Sequence, residues 1–121
     1  MATKYRLVLV AAPTEKEAQK LARGLLEEKI AACVNLIPGV QSQYWWKGKI
    51  ESAHEAILLI KTQKALVDTV IGYIRENHSY ELPEVIALPV MEGDKEYLNW
   101  LGAQTNAAKP LVETPDRELE A

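Results

Sequence analysis

The sequence predicts an α+β domain built around a four-stranded antiparallel sheet, on three observations. Apolar runs and amphipathic stretches alternate in the order β-α-β-β-α-β, followed by one short terminal helix. That order is the split βαβ, ferredoxin-like pattern, whose sheet order 4-1-3-2 puts strands one and three in the centre. Proline cannot donate to a ladder, and Pro38 and Pro89 fall in strands two and four, while strands one and three contain none.

The elements follow in order. Tyr5 to Ala12 is a nearly continuous apolar run suited to a strand buried on both faces, and Pro13 stops it. Thr14 to Glu17 reads as a capping box in which Glu17 reaches back to the cap. Ala18, Leu21, Ala22, Leu25 and Leu26 then form one helical stripe, which ends near Lys29. Cys33 to Trp46 is extended, with a bulge or bend at Pro38-Gly39. Lys47-Gly48 is the turn, with Gly48 free to take positive φ. Lys49 to Thr62 returns as the third strand. A helix from about Gln63 to Glu76 carries Leu66, Val67, Val70, Ile71 and Ile74 on one face. Val85 to Met91 is the fourth strand, and Asp94 caps a short helix whose buried side is Tyr97, Leu98 and Leu101.

Strands two and three each run about 14 residues, or about 46 Å at roughly 3.3 Å per residue. A compact domain of this length has a diameter near 35 Å, so the hairpin must bend or project. Its far end carries Tyr44, Trp45 and Trp46. Consecutive strand residues point to opposite faces, so both tryptophans cannot enter one local core. Burial against further copies of the chain follows, with strand pairing across subunits. The plainer alternative is a single tryptophan lying on the surface near the turn.

The 121 residues are one domain's worth. With 48% hydrophobic and 26% charged residues the composition is that of a folded domain, not a disordered one. No apolar run reaches the roughly 18 residues of a membrane helix. Residues 1–109 carry 13 basic and 13 acidic side chains, so the net charge of -3 resides in the tail 110–121. That balanced body argues against nucleic acid as a partner, and the acidic tail is expected to be mobile. The start shows no signal-peptide pattern, and the lone Cys33 cannot form an internal disulfide, so a cytoplasmic location is the expectation.

The candidates for chemistry are few. Cys33 reads first as a small buried hydrophobe, then as a soft-metal ligand, and last as a nucleophile. His78, Tyr80, Glu81 and Glu84 crowd one loop, a set able to hold a divalent cation such as copper or zinc. Spacing alone favours the simpler reading, in which His78 ends the helix and the two glutamates are solvated. His54 reads as a surface residue. Lys61 ends the third strand and, with Tyr80, is a candidate for lining a cleft between subunits. No paired nucleophile and base is visible, so no enzyme is expected.

The strings Ala31-Ala32-Cys33-Val34-Asn35-Leu36-Ile37-Pro38-Gly39-Val40, Gln43 to Glu51, Ile60-Lys61-Thr62, Pro83 to Val90 and Tyr97-Leu98-Asn99-Trp100-Leu101 closely resemble the CutA family of divalent-cation tolerance proteins. The resemblance covers about residues 4–105. It implies a PII-like homotrimer with a role in tolerance to copper and other divalent cations, with metal bound by some members and no obligatory cofactor. The family's His-Pro-Tyr segment corresponds to His78-Ser79-Tyr80. A cysteine and a second histidine that bind copper in enterobacterial relatives correspond to Val10 and Asn77, which are not copper ligands. The resemblance leaves a weak site of His78 with Glu81, Glu84 or a neighbouring subunit's group, and Cys33 as a further soft candidate. The competing expectation is a PII-like signalling or scaffold trimer that binds a small anion or a protein partner.

Overall fold

A computed structural model of the protein describes residues 1–107. The tail 110–121 lies outside the described residues. The elements are β1 (Tyr5–Ala12), α1 (Glu15–Glu27), β2 (Cys33–Trp46), β3 (Lys49–Gln63), a 3-10 turn at Lys64–Leu66, α2 (Val67–Asn77), β4 (Val85–Pro89) and α3 (Lys95–Gln104). They form one antiparallel sheet in the order β2-β3-β1-β4, with both prolines on edge strands as the ladder chemistry requires.

Directly opposed residues share a face, so the register sorts the sheet into two sides. Val8, Ile60 and Val34 form one row beneath the helices, and Val10, Leu58 and Leu36 form the next. Val8, Val10, Leu58 and Ile60 are fully buried against Ala18, Leu21 and Leu25 of α1 and Val70 and Ile74 of α2. The two helices meet at Gly24, where a Cβ would stand 1.7 Å from the Tyr73 hydroxyl. The opposite face carries Leu88, Leu7, Lys61 and Cys33 in one row and Ile86, Leu9, Leu59 and Asn35 in the next. Ile37, Ile86 and Leu88 are exposed there. α3 returns over one end of this face, where Gln63 Nε2 donates to Thr105 Oγ1 at 2.6 Å and Leu101 is buried.

Several boundaries move from their sequence expectations. Gln63 stays in β3, and its continuation Lys64 donates its backbone N–H to Lys4 at 2.7 Å, so α2 starts later than expected. β4 stops at Pro89. Tyr97 lies on the exposed side of α3, stacked with Trp100 at 5.5 Å. The capping box is half made: Thr14 Oγ1 accepts from the Glu17 N–H at 3.1 Å, but the Glu17 carboxylate turns to Ser79.

The hairpin outreaches the rest of the sheet. β1 pairs with β3 only from Tyr5↔Gln63 to Ala12↔Ala56. From Glu55 to Lys49, β3 pairs with β2 alone. The register shift between Ile37 and Val40 marks the bulge, with Gly39 at φ 68°. The turn sets both Lys47 and Gly48 at positive φ, 52° and 80°, as a type I′ hairpin demands.

Candidate functional site

The site lies where β1 ends and the hairpin continues. α2 stops at Asn77, and the loop 78–84 then passes the end of β1 on its way to β4. His78 anchors that loop. Its Nε2 is 2.7 Å from the Ala11 carbonyl, and its Nδ1 is 2.9 Å from the Tyr80 backbone N–H. A carbonyl only accepts and an N–H only donates, so these contacts suit a ring that donates from Nε2 and accepts at Nδ1. Both nitrogens are committed inside a buried ring. Glu17 reinforces the loop by accepting from the Ser79 N–H at 2.9 Å, with the same oxygen 3.5 Å from His78 Nδ1.

Tyr80 turns its ring back over His78, 4.9 Å between centroids, and donates its hydroxyl to Glu55 Oε2 at 3.1 Å. Burial first, and the bonded Glu55 carboxylate second, push the phenol up to about 12. Glu55 is only 7% exposed, the one buried acid among the described residues. The hairpin and the loop enclose a groove of about 850 Å³ between them, lined by Glu55 and Tyr80 on its floor, Tyr44, Trp45 and Trp46 on the hairpin side, and Glu81 and Glu84 on the loop side.

The expected metal set is not assembled. Cys33 pairs with Lys61 on β3, whereas His78 binds Ala11, which pairs with Ile57. Four residues separate those positions, about 13 Å along the strand. His78 has no free lone pair, Glu81 and Glu84 are exposed, and no group of three or more His, Cys, Asp or Glu side chains converges among the described residues. The donors present therefore do not fit a resident copper or zinc ion in the single chain.

Within the single chain the two candidates for a cleft between subunits, Lys61 and Tyr80, lie apart. Lys61 hydrogen-bonds Asn35 Oδ1 and lies 3.7 Å from Cys33 Sγ on the helix-free face. Tyr80 reaches Glu55, six residues or about 20 Å along β3 from Lys61. Tyr44, Trp45 and Trp46 all lie on the projecting hairpin, with Trp45 72% exposed. Sequence reasoning missed Glu55 and Glu17. Glu55 ends a polar stretch and reads as surface until the loop is seen to close over it.

Comparison with known proteins gives one consistent result. The family model of the CutA1 divalent ion tolerance protein matches residues 6–104. A chloroplastic CutA 1 of Oryza sativa subsp. japonica is 43% identical over 99 residues, 82% of this chain and 56% of its own length. The chain thus spans little more than half of that plant relative. A divalent-cation tolerance protein CutA of Yersinia pestis is 47% identical over 97 residues, 80% of this chain and 82% of its own. Among solved structures, CutA1 from Oryza sativa superposes with a TM-score of 0.84 at 41% identity, covering 87% of this chain and 96% of that one. The CutA of Archaeoglobus fulgidus, described as periplasmic, gives 0.82 at 37% identity, covering 84% and 99%. These relatives overturn the cytoplasmic expectation: plant ones are chloroplastic by name and the archaeal one periplasmic. A lone thiol excludes an internal disulfide and says nothing more about compartment.

Proposed function

Because this chain belongs to the CutA1 divalent ion tolerance family, we propose that it serves tolerance of divalent cations, copper included, as a homotrimer that acts by binding and not by catalysis. The family match over residues 6–104 carries the reading. The trimer draws support from the unmatched apolar surface: Ile37, Ile86 and Leu88 on the helix-free sheet face, and Trp45 and Ile50 on the hairpin beyond β1. A soluble monomer seldom leaves so much contiguous apolar surface in water. Tyr44, Trp45 and Trp46 are proposed as contacts of the hairpin with a neighbouring subunit.

Metal is bound weakly and is not obligatory, because His78 is spent on the loop and Cys33 lies elsewhere. Any ligation by Glu81 or Glu84 needs donors from a second subunit. The anion-binding, PII-like alternative is not favoured: its proposed lysine is already hydrogen-bonded, and the relatives are named for cation tolerance.

The test is twofold. The chain is expected to elute at about three times its 13.5 kDa by light scattering and to restore growth on elevated copper to a bacterium lacking its own relative. A monomer removes the trimer, and expression without any effect on copper sensitivity removes the tolerance role.

A further inference from the structure

The anchor of the 78–84 loop contains two groups that can change charge. The His78 side chain is 0% exposed; its Nδ1 accepts from the Tyr80 N–H at 2.9 Å, and its Nε2 meets the Ala11 carbonyl of β1 at 2.7 Å. Glu17 of α1 stands beside it, with Oε2 3.5 Å from the same Nδ1. That carboxylate is only 20% exposed, accepts from the Ser79 N–H, and forms no ion pair with a lysine or arginine among the described residues. It makes these contacts in place of the reciprocal bond of a capping box.

Nδ1 therefore has two partners within reach, and its protonation selects between them. An unprotonated Nδ1 only accepts, which suits the Tyr80 N–H. A protonated Nδ1 only donates, so the Tyr80 N–H would face another N–H, and the acceptor at hand is the Glu17 carboxylate. Nε2 donates to Ala11 in either state, so the ring keeps its pivot while its other nitrogen changes partner. An imidazolium buried without a counter-charge is costly, and Glu17 supplies that charge. The titratable groups around the ring are Glu17 from α1 and Tyr80 from the loop, with Glu55 of β3 behind the Tyr80 hydroxyl. Imidazoles as a class gain their proton at roughly pH 5 to 8, above the range of ordinary carboxylates and below that of phenols.

We propose that His78 and Glu17 form a proton-operated latch on the 78–84 loop. A proton taken from mildly acidic solvent onto Nδ1 turns the ring from the Tyr80 N–H to Glu17. The loop then loses the backbone bond from which Tyr80 reaches Glu55. It is closed on the hairpin at neutral pH and loosened in mild acid. The latch works inside the chain and is independent of the metal-tolerance reading.

The full chain, in its native assembly and with EDTA present to exclude metal, is followed by imidazole nitrogen NMR and amide hydrogen exchange from about pH 8 to about pH 5. His78 Nδ1 is expected to pass from acceptor to protonated donor. Over the same range the Tyr80 amide should lose about tenfold in protection, corrected for intrinsic exchange, while the amides of β1 and β3 keep theirs. In Glu17→Gln, which keeps an acceptor for the Ser79 N–H but carries no charge, the transition should move about one pH unit toward acid. In His78→Gln, which has no titrating ring, Tyr80 protection should not vary with pH. Should His78→Gln not fold, Glu17→Gln carries the test alone. A ring that stays neutral in the folded chain down to about pH 5 overturns the latch. So does Tyr80 protection that is unchanged as the ring is protonated, loss of protection by all amides together, or a wild-type transition in Glu17→Gln.

Discussion

Leu58 and Leu59 are neighbours in the chain and opposites in circumstance. Leu58 lies fully buried under α1 and α2, within a cluster that includes Leu21, Leu25, Val70 and Ile74. Leu59 lies half-buried at the centre of the other face, between Leu9 and Asn35, with exposed Ile86 two strands away. The same strand supplies both because alternate residues of β3 serve two different solvents. One face is covered within the chain, and the other leaves Ile37, Ile86 and Leu88 exposed. The groove belongs to the second kind of surface, since it begins at Glu55, where the support of β1 ceases.

Substitutions on each side separate the two. Leu58→Ala is expected to cost about 2 to 5 kcal/mol in urea unfolding, the ordinary penalty of a core cavity. Gly24→Ala is expected to cost about 1 to 3 kcal/mol, because its Cβ drives into the Tyr73 hydroxyl, and Tyr73→Phe in the same chain should recover part of the loss. Thr14→Ala removes the α1 cap that accepts the Glu17 N–H and should cost about 1 kcal/mol. Leu59→Asp is the contrasting change: it is expected to leave far-UV circular dichroism nearly intact while reducing the particle to a single 13.5 kDa chain by light scattering. An unchanged particle size would mean that the helix-free face is not the contact. The smallest effect is a pH dependence. The Tyr80 phenol, raised from 10.0 to about 12, keeps its proton in the folded chain where the unfolded chain has lost it. Its contribution is therefore complete below pH 10.0 and is lost as pH rises toward about 12, so wild type should lose more stability over that window than Tyr80→Phe.

The fold was legible because its signals are local. Apolar runs, the Lys47-Gly48 turn, the Thr14 and Asp94 caps and two edge prolines each act within a few residues, and together they determine the sheet order. The long hairpin was legible by arithmetic, since the two strands exceed the span of a domain of this size. The site was less so. Glu17 looked like the reciprocal half of a capping box, but Ser79 lies 62 positions away in sequence and competes for the same carboxylate. Spacing favoured His78 as the end of its helix, which it is, and the family resemblance made it a candidate ligand, because residue type is visible and commitment is not. Only the path of the loop reveals that Ala11 and the Tyr80 backbone take both of its nitrogens. Glu55 carried no signal, because nothing in Ser52-Ala53-His54-Glu55 tells which residue a distant tyrosine will cover.

The unsupported stretch of hairpin beyond Ala12↔Ala56 behaves as an arm whose length is a coarse variable. Adding one residue to each strand moves the tip outward by about 3.3 Å but turns every side chain beyond the insertion to the other side. Two residues per strand restore the facing and advance the tip by about 6.6 Å. A change of reach that keeps the facing of the tip therefore takes two residues per strand. Tyr44, Trp45 and Trp46 then either move outward together or exchange faces, so the length of the arm sets which of them meet the loop side.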